Sequence, residues 1–383
     1  PHHENAAVYP AQFNGIYSDT GLGVPETDDG FNNGLNYSVV DLSVTGANGS
    51  IGDVVTRNVH LVTYNPANPE EIKYKCSEKI TAVKNNTGTG FWVVTQFVDR
   101  FYSFFVDENG VNATPVITQI NPVVGTEGYR RNAIGYIKAS PNGKKIAIAH
   151  NQRGNVAGGS TQNGTVYLYD FNNATGGVSN ALQISNNTTA YGLEFSAKSK
   201  KLYVAYDPTP THSGGLHQYN LESANIPASD VFITGSTTGT ALQLGPDSKI
   251  YMAVNNQSSL HIIHLPEEDG ISCDFEPNGV NLGNGRASVF GLPPFITSLF
   301  SASILAEHTC LGDTTQFTLN ALGDFQTISW DFGDAAPAST ELAPTHIYAA
   351  PGVYSVVATI TNLGDIYTIP QEVTIYGIPA ANT

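Results

Sequence analysis

Apolar residues fall in short runs separated by polar turns, and one order of runs recurs along the chain. Residues 135–149 read as a short strand through Tyr136-Ile137-Lys138-Ala139, a turn at Ser140-Pro141-Asn142-Gly143, and an apolar strand from Ile146. Residues 192–205 repeat this with Leu193-Glu194-Phe195 before the turn and a strand from Leu202 after it. Residues 241–253 repeat it again, with Leu242-Gln243-Leu244, the turn Gly245-Pro246-Asp247-Ser248 and a strand from Ile250. A fourth copy upstream runs through Ile80–Lys84, a turn over 85–90 and a strand from Phe91. Gly, Pro, Asn and Asp supply the backbone conformations that tight hairpin turns require. The second strands are spaced by about 55, 56 and 48 residues, the period of propellers and related arrays.

Each hairpin is followed by a third strand rich in aromatic residues, at 101–106, 166–170, 217–221 and 261–265, and then by a turn into a fourth. Three or four antiparallel strands per ~50 residues make one propeller blade. Near-continuous apolar strands fit inner blade strands, which are packed on both faces. The 3.6-residue period of a helical solenoid is absent. Partial copies flank the four: residues 37–42 resemble a third strand and residues 288–293 a first strand. The expected fold is therefore all-β, with a propeller over residues 1–300 that is incomplete in this chain. Seven blades are expected in the intact protein, from upstream residues or with an irregular blade over residues 8–42.

Composition narrows the function. Of 383 residues, 40% are apolar, enough for a large core, and only 13% are charged. With 33 acidic against 17 basic residues the net charge is -16, and no basic stripe exists. Nucleic-acid binding needs such a stripe, and so does attraction to an anionic membrane surface. No run of 18 apolar residues occurs, so no membrane-spanning helix and no direct membrane insertion are expected. The chain opens on Pro1 and holds a single methionine, Met252, which reads as a processed or trimmed chain. Cys76, Cys273 and Cys310 are too few for a zinc site or a disulfide framework. One bridge plus one free thiol stays open. Low charge and Asn/Thr-rich turns point to a secreted, cell-surface location.

The composition shifts near Ser301, and from Cys310 the chain reads as a small sandwich with strands near 314–319, 327–332, 353–362 and 372–375. Its motif is Trp330-Asp331-Phe332-Gly333-Asp334, then His346 and Tyr348, then Gly352 and Tyr354. This resembles the PKD domain over about residues 307–377. The resemblance implies an immunoglobulin-like β-sandwich that serves as spacer or adhesive module, here residues 301–383 with a short linker. Ala335 stands where that family usually has glycine.

A second resemblance follows. Residues 34–41, Lys79–Lys84, Ala133–Lys138 and Gly291–Ile296 are similar to large surface proteins of Bacteroidota. Those carry a propeller-like region, PKD domains and a type B sorting domain for type IX secretion. The resemblance implies a cell-surface place and a part in adhesion or gliding motility, and it implies that both ends here are truncated relative to that family.

Candidate chemistry is sparse. Asp331 and Asp334 could form a calcium or catalytic pair, but their spacing suits carboxylates that hold a turn through backbone hydrogen bonds. Asp28-Asp29-Gly30 and Asp107-Glu108-Asn109-Gly110 are only pieces of calcium loops, the second better read as a hairpin turn. His261 and His264 have i, i+3 spacing and point opposite ways on a strand. Gly-x-Ser-x-Gly, the phosphate loop and the repeated aspartate boxes of sialidase propellers are all missing. Hence no catalytic, cofactor-binding or metal set is expected, with calcium the one ion for which fragments exist. Loop aromatics that could contact glycans are Tyr9, Phe13, Tyr17, Phe31, Tyr129 and Tyr206. Sequons at Asn36, Asn112, Asn163 and Asn256 read as Asn-rich turns. Asp313-Thr314-Thr315 fits the short O-glycosylation pattern of Bacteroidota, with Thr314 as the acceptor.

The reading is a non-enzymatic extracellular protein that binds glycans or cell-surface proteins through propeller loops, with the PKD domain as spacer. One alternative is a polysaccharide-active enzyme with an ancillary PKD domain. Another is a structural subunit that self-assembles or meets the secretion machinery.

Overall fold

The computed structural model describes residues 34–46, 49–87, 89–126, 132–153, 164–209, 212–235, 240–245, 247–283, 285–293, 302–321, 325–362 and 365–377. The chain divides into two compact units, one of residues 1–245 and 249–296, the other of residues 297–383 with 246–248.

Among the described residues, the first element of this unit is a hairpin of β1 (Leu35–Thr45) and β2 (Ile51–Leu61). A six-residue helix, α1 (Pro69–Tyr74), follows, capped by the Asn68 side chain. Four blades come next. Blade 1 holds β3 (Ile80–Lys84), β4 (Gly90–Phe97), β5 (Arg100–Asp107), the two-residue β6 (Gly110–Val111) and β7 (Val116–Gln119), with β5 pairing both β6 and β7. Blade 2 holds β8 (Ile137–Ala139), β9 (Lys145–His150), β10 (Gly164–Asn172) and the first part of β11 (Gly177–Phe195). The second part of β11 is the inner strand of blade 3, which continues through β12 (Lys201–Asp207), β13 (Gly215–Asn220) and β14 (Val231–Thr234). Blade 4 holds β15 (Leu242–Leu244), β16 (Ile250–Met252), β17 (Ser259–Ile263) and β18 (Phe275–Asn281). All pairs are antiparallel, and the turn chemistry explains why: Ser140 Oγ accepts from Lys145 N–H, closing the β8–β9 hairpin at 2.9 Å.

The blades stack because strand alternation gives each an apolar residue on both faces. On β9, Ile146 and Ile148 pack with Val83, Trp92 and Val94 of blade 1, while Ala147 and Ala149 pack with Leu202 and Val204 of blade 3. On β12, Tyr203 and Ala205 turn the other way, onto Leu242, Leu244 and Ile250 of blade 4. This face-to-face order is that of a β-propeller. The second face of blade 1, with Tyr102 and Phe104, packs against Leu61, Leu35 and Tyr37 of the first hairpin. Residues 37–42 therefore lie in a two-stranded hairpin rather than in a whole blade. The far end of that hairpin stays exposed, Leu42 at 71% and Ile51 at 86%. Residues 288–293 form no strand. Instead, Ser288 bonds the backbone of Val254 and Gln257, and the Phe290 carbonyl accepts from Ala241 N–H. No disulfide joins the three cysteines, of which Cys76 and Cys273 are buried and Cys310 is exposed. Burial pushes the Cys76 and Cys273 thiols up.

The second unit is a sandwich of two three-stranded sheets. One contains β19 (Ala302–Glu307), β20 (Thr315–Ala321) and β22 (Thr345–His346), the other β21 (Thr327–Asp331), β23 (Gly352–Asn362) and β24 (Asp365–Ile375). β19 extends the sandwich upstream of Cys310, where the sequence reading began it. Trp330, Phe317, Val356 and Ala358 form the centre of its core with no exposure. Gly333 and Ala335 both have positive φ, 77° and 63°. Glycine takes that conformation without the Cβ penalty that alanine carries. Ala335→Gly is therefore expected to stabilise this unit by about 0.5–1 kcal/mol, read as a raised urea midpoint at unchanged m. Gly333 tolerates no such exchange, since a Cβ there would lie 2.5 Å from the Ser355 carbonyl oxygen.

Candidate functional site

The inner strands of blades 2, 3 and 4 carry one polar residue each at the same repeat position: Lys138, Glu194 and Gln243. Stacking brings the three together. Lys138 Nζ donates to Glu194 Oε2 at 2.8 Å and to Gln243 Oε1 at 2.7 Å. Glu194 also accepts from Leu244 N–H and Phe195 N–H. All three side chains are buried. The charges are thus matched inside the hub, which suits fixing the blades in register rather than exchanging protons.

At one end of these strands the chemistry opens outward. Tyr136 and Tyr191 meet edge to face, 5.4 Å between ring centroids. Lys138 Nζ lies 5.4 Å from the Tyr136 centroid. Tyr136 Oη donates to the Leu292 carbonyl at 3.2 Å, and Glu78 Oε1 accepts from Gly135 N–H at 2.9 Å. Gly135 is required here, because its φ is 153° and a Cβ would stand 1.9 Å from the Ala149 carbonyl oxygen. Burial raises both phenols above their usual range, and the nearby Glu78 carboxylate adds to it. Tyr136, Tyr191 and Glu78 are each partly exposed. Two aromatic rings beside a carboxylate form a rim able to contact sugar faces and hydroxyls. The sequence reading missed this rim and the hub beneath it. The signal was present in the aligned repeats, where Lys138, Glu194 and Gln243 share one column.

The loop aromatics fare differently. Tyr206 has no exposure, and its hydroxyl bonds that of Tyr219 at 2.9 Å, so it is core rather than a glycan contact. Tyr9, Phe13, Tyr17, Phe31 and Tyr129 lie outside the described residues, as do Asp28, Asp29, Gly30 and Asn163. Asp107 Oδ1 accepts from Asn109 N–H, a turn contact. His261 Nδ1 accepts from Asn278 N–H, whereas His264 Nε2 pairs with Glu276 at 2.7 Å, so the two imidazoles serve separate partners. Asn112 and Asn256 lie at turns, Asn256 at φ 58°, but Asn36 sits in β1. Thr314 is exposed just before β20. Among the described residues no group of three His, Cys, Asp or Glu could hold a metal ion.

In the second unit, Asp331 Oδ1 accepts from Gly333 N–H at 2.9 Å and Asp334 Oδ1 from Ala336 N–H at 3.1 Å. Asp334 Oδ2 pairs with His346 Nε2 at 2.7 Å, and the His346 ring stacks on Phe332 at 4.2 Å. Tyr348 Oη donates to the Phe332 carbonyl, and Tyr354 Oη to that of Ala350. Trp330 Nε1 donates to the Glu341 carbonyl at 2.9 Å.

A further polar group, also unforeseen, lies in blade 3. His217 Nδ1 bonds Asp230 Oδ1 at 2.8 Å, and the His212 ring stands 5.1 Å from that of His217. Burial, then the neighbouring His217, lowers His212 below the usual histidine value, and burial lowers His150 well below it. A histidine depressed by folding contributes stability that is present above about 6.5 and lost as the pH falls toward the folded value. The first unit is therefore expected to lose stability on acidification below about pH 6.5, and His150→Leu to flatten that slope, as thermal unfolding across pH would show.

Residues 293–375 match the PKD domain family. No curated protein matches the chain. Similar solved structures include a candidate 6-phosphogluconolactonase from Bacteroides uniformis, at 13% identity and TM-score 0.41, covering 94% of this chain and 84% of that one. A candidate 6-phosphogluconolactonase from Bacteroides fragilis has 13% identity and TM-score 0.38, covering 59% of each chain. The periplasmic gluconolactonase of Pseudomonas aeruginosa has 12% identity and TM-score 0.33, covering 82% of this chain and 91% of that one. Likeness at this level says nothing of what the chain binds or turns over. The class that the fold defines is an all-β protein with a propeller and a C-terminal PKD domain.

Proposed function

We propose that this chain is a non-enzymatic extracellular surface protein that binds glycans or cell-surface proteins through the propeller, with the PKD domain as spacer. The observation that carries this reading is the division of labour between hub and rim. The hub uses its lysine and glutamate on each other and on backbone N–H groups, while Tyr136, Tyr191 and Glu78 stand partly open above it. Aromatic faces with an adjoining carboxylate can hold a polar ligand. Export by type IX secretion and modification at Thr314 belong to the same proposal.

The test is a glycan array probed with the labelled chain, with product release followed on every hit. Saturable binding without products, weakened by Tyr191→Ala, is the expected result. Released products would favour the polysaccharide-active enzyme instead. Absence of any binding, together with concentration-dependent assembly, would favour the structural subunit. The β1–β2 hairpin, which has no third strand among the described residues, is the feature that supports that last reading.

A further inference from the structure

The junction of blades 1 and 2 holds a polar cluster that neither hub nor rim uses. His150 ends β9 with no exposure, and neither ring nitrogen has a hydrogen-bond partner. A neutral imidazole carries one donor and one acceptor, and buried polar groups are almost always met. The character of the missing partner follows from the surroundings. Lys79 is equally buried, and its ammonium donates to the carbonyls of Asn132 at 2.8 Å and Ala133 at 3.1 Å, so one of its three N–H groups remains. A Cβ on Gly135 would touch both the Ala149 carbonyl and Lys79 Cε, which sets Lys79 beside the backbone that leads into His150. Arg153 follows three residues on, with its guanidinium donating to Asn186 Oδ1 at 2.8 Å. Glu78 is the carboxylate whose charge acts on Lys79, and one of its oxygens is taken by Gly135 N–H. Within a chain of net charge -16, the charges of Lys79 and Arg153 both act on this buried imidazole.

We propose that His150, Lys79 and Arg153 form a binding site for a small anion of the carboxylate class. The anion accepts from a ring N–H of His150 and from the remaining N–H of Lys79, and Arg153 adds charge at the margin. Burial, then the charges of Lys79 and Arg153, keep the imidazole neutral. The arriving negative charge reverses that balance, and one proton passes from solvent to the free ring nitrogen. Binding is therefore coupled to proton uptake. A free organic acid and the carboxyl group of an acidic sugar share this chemistry. The site stands whether or not the rim binds glycans.

Calorimetric titration of the full chain with formate, acetate, glucuronate and, as a neutral control, galactose tests it. Each titration is run at pH 7 in two buffers of different ionisation heat. The expected result is saturable binding of one or more carboxylates, proton uptake revealed by the buffer difference, and no response to galactose. His150→Leu is expected to abolish both binding and uptake. Arg153→Gln, at the half-buried margin where folding is safe, is expected to weaken binding roughly tenfold. Response to formate and acetate alone assigns the site to free acids, and response to glucuronate assigns it to acidic sugars. No saturable binding to tens of millimolar, or binding and proton uptake that His150→Leu and Arg153→Gln leave unchanged, would overturn the proposal.

Discussion

Glu194→Ala is expected to cost the propeller about 3–5 kcal/mol, because it leaves the Lys138 ammonium buried without its counter-charge. The exchange also strips the acceptor from Leu244 N–H and Phe195 N–H, so three donors lose their partner at once. Lys138 keeps only Gln243, a neutral acceptor. Against a typical domain stability of ~5–15 kcal/mol, that loss is a large share of the whole. The companion variant separates charge from packing. In the double variant K138M/E194L both charges go together, and the cost is expected to fall well below the single loss, since apolar replacement of a buried pair is often close to neutral. The two tryptophans make this readable, Trp92 reporting blade 1 and Trp330 the PKD core. With Trp330→Phe as background, the urea transition of Trp92 fluorescence gives the propeller's stability. Equal midpoints for Glu194→Ala and the parent would show that the hub contributes nothing.

Trp330→Ala is expected to cost the PKD unit about 3–5 kcal/mol, the range for truncating a large buried aromatic residue. The indole is wholly buried against Phe317, and its Nε1–H holds the Glu341 carbonyl across the turn that follows β21. Truncation opens a cavity and leaves that carbonyl without its donor. For a unit of this size the loss approaches full unfolding at ambient temperature, visible as disappearance of its calorimetric transition. Trp330→Phe should keep most of the packing and lose mainly the Nε1 bond, a cost nearer 1–2 kcal/mol. If Trp330→Ala left the transition in place, the motif's tryptophan would not be the anchor of this core.

Much of this architecture can be read in the sequence because it is written locally. The turn Ser140-Pro141-Asn142-Gly143 and the apolar strands at Ile146, Leu202 and Ile250 announce the hairpins, and repetition turns hairpins into blades. The Trp330–Asp334 motif is legible for the same reason, since its carboxylates act on backbone only two residues away. What stays hidden depends on pairing over long separations. The run from Gly177 to Phe195 contains no glycine or proline break between the blades it serves until Gly192, so its role as last strand of one blade and first of the next emerges only from register. Tyr206 looked like a loop aromatic because its strand end borders a polar stretch, yet burial is decided by the neighbouring blade. His217 and Asp230 meet through the β13–β14 pairing, and no motif spacing marks them. β19 has too few distinctive residues to separate it from a linker until its partner β20 is in place.

The shared strand β11 has a mechanical consequence. Blades joined by loops can be pulled apart one at a time, each giving way as its connector extends. Blades 2 and 3 have no connector between them, because the ladder that ties β10 to Gly177–Thr188 passes directly into the ladder that ties Thr189–Phe195 to β12. Tension on either blade is borne by the same run of backbone. The two are expected to rupture as one event, with one contour-length step sized for both, so that the pair resists tension as a doubled element where a jointed one would yield in halves.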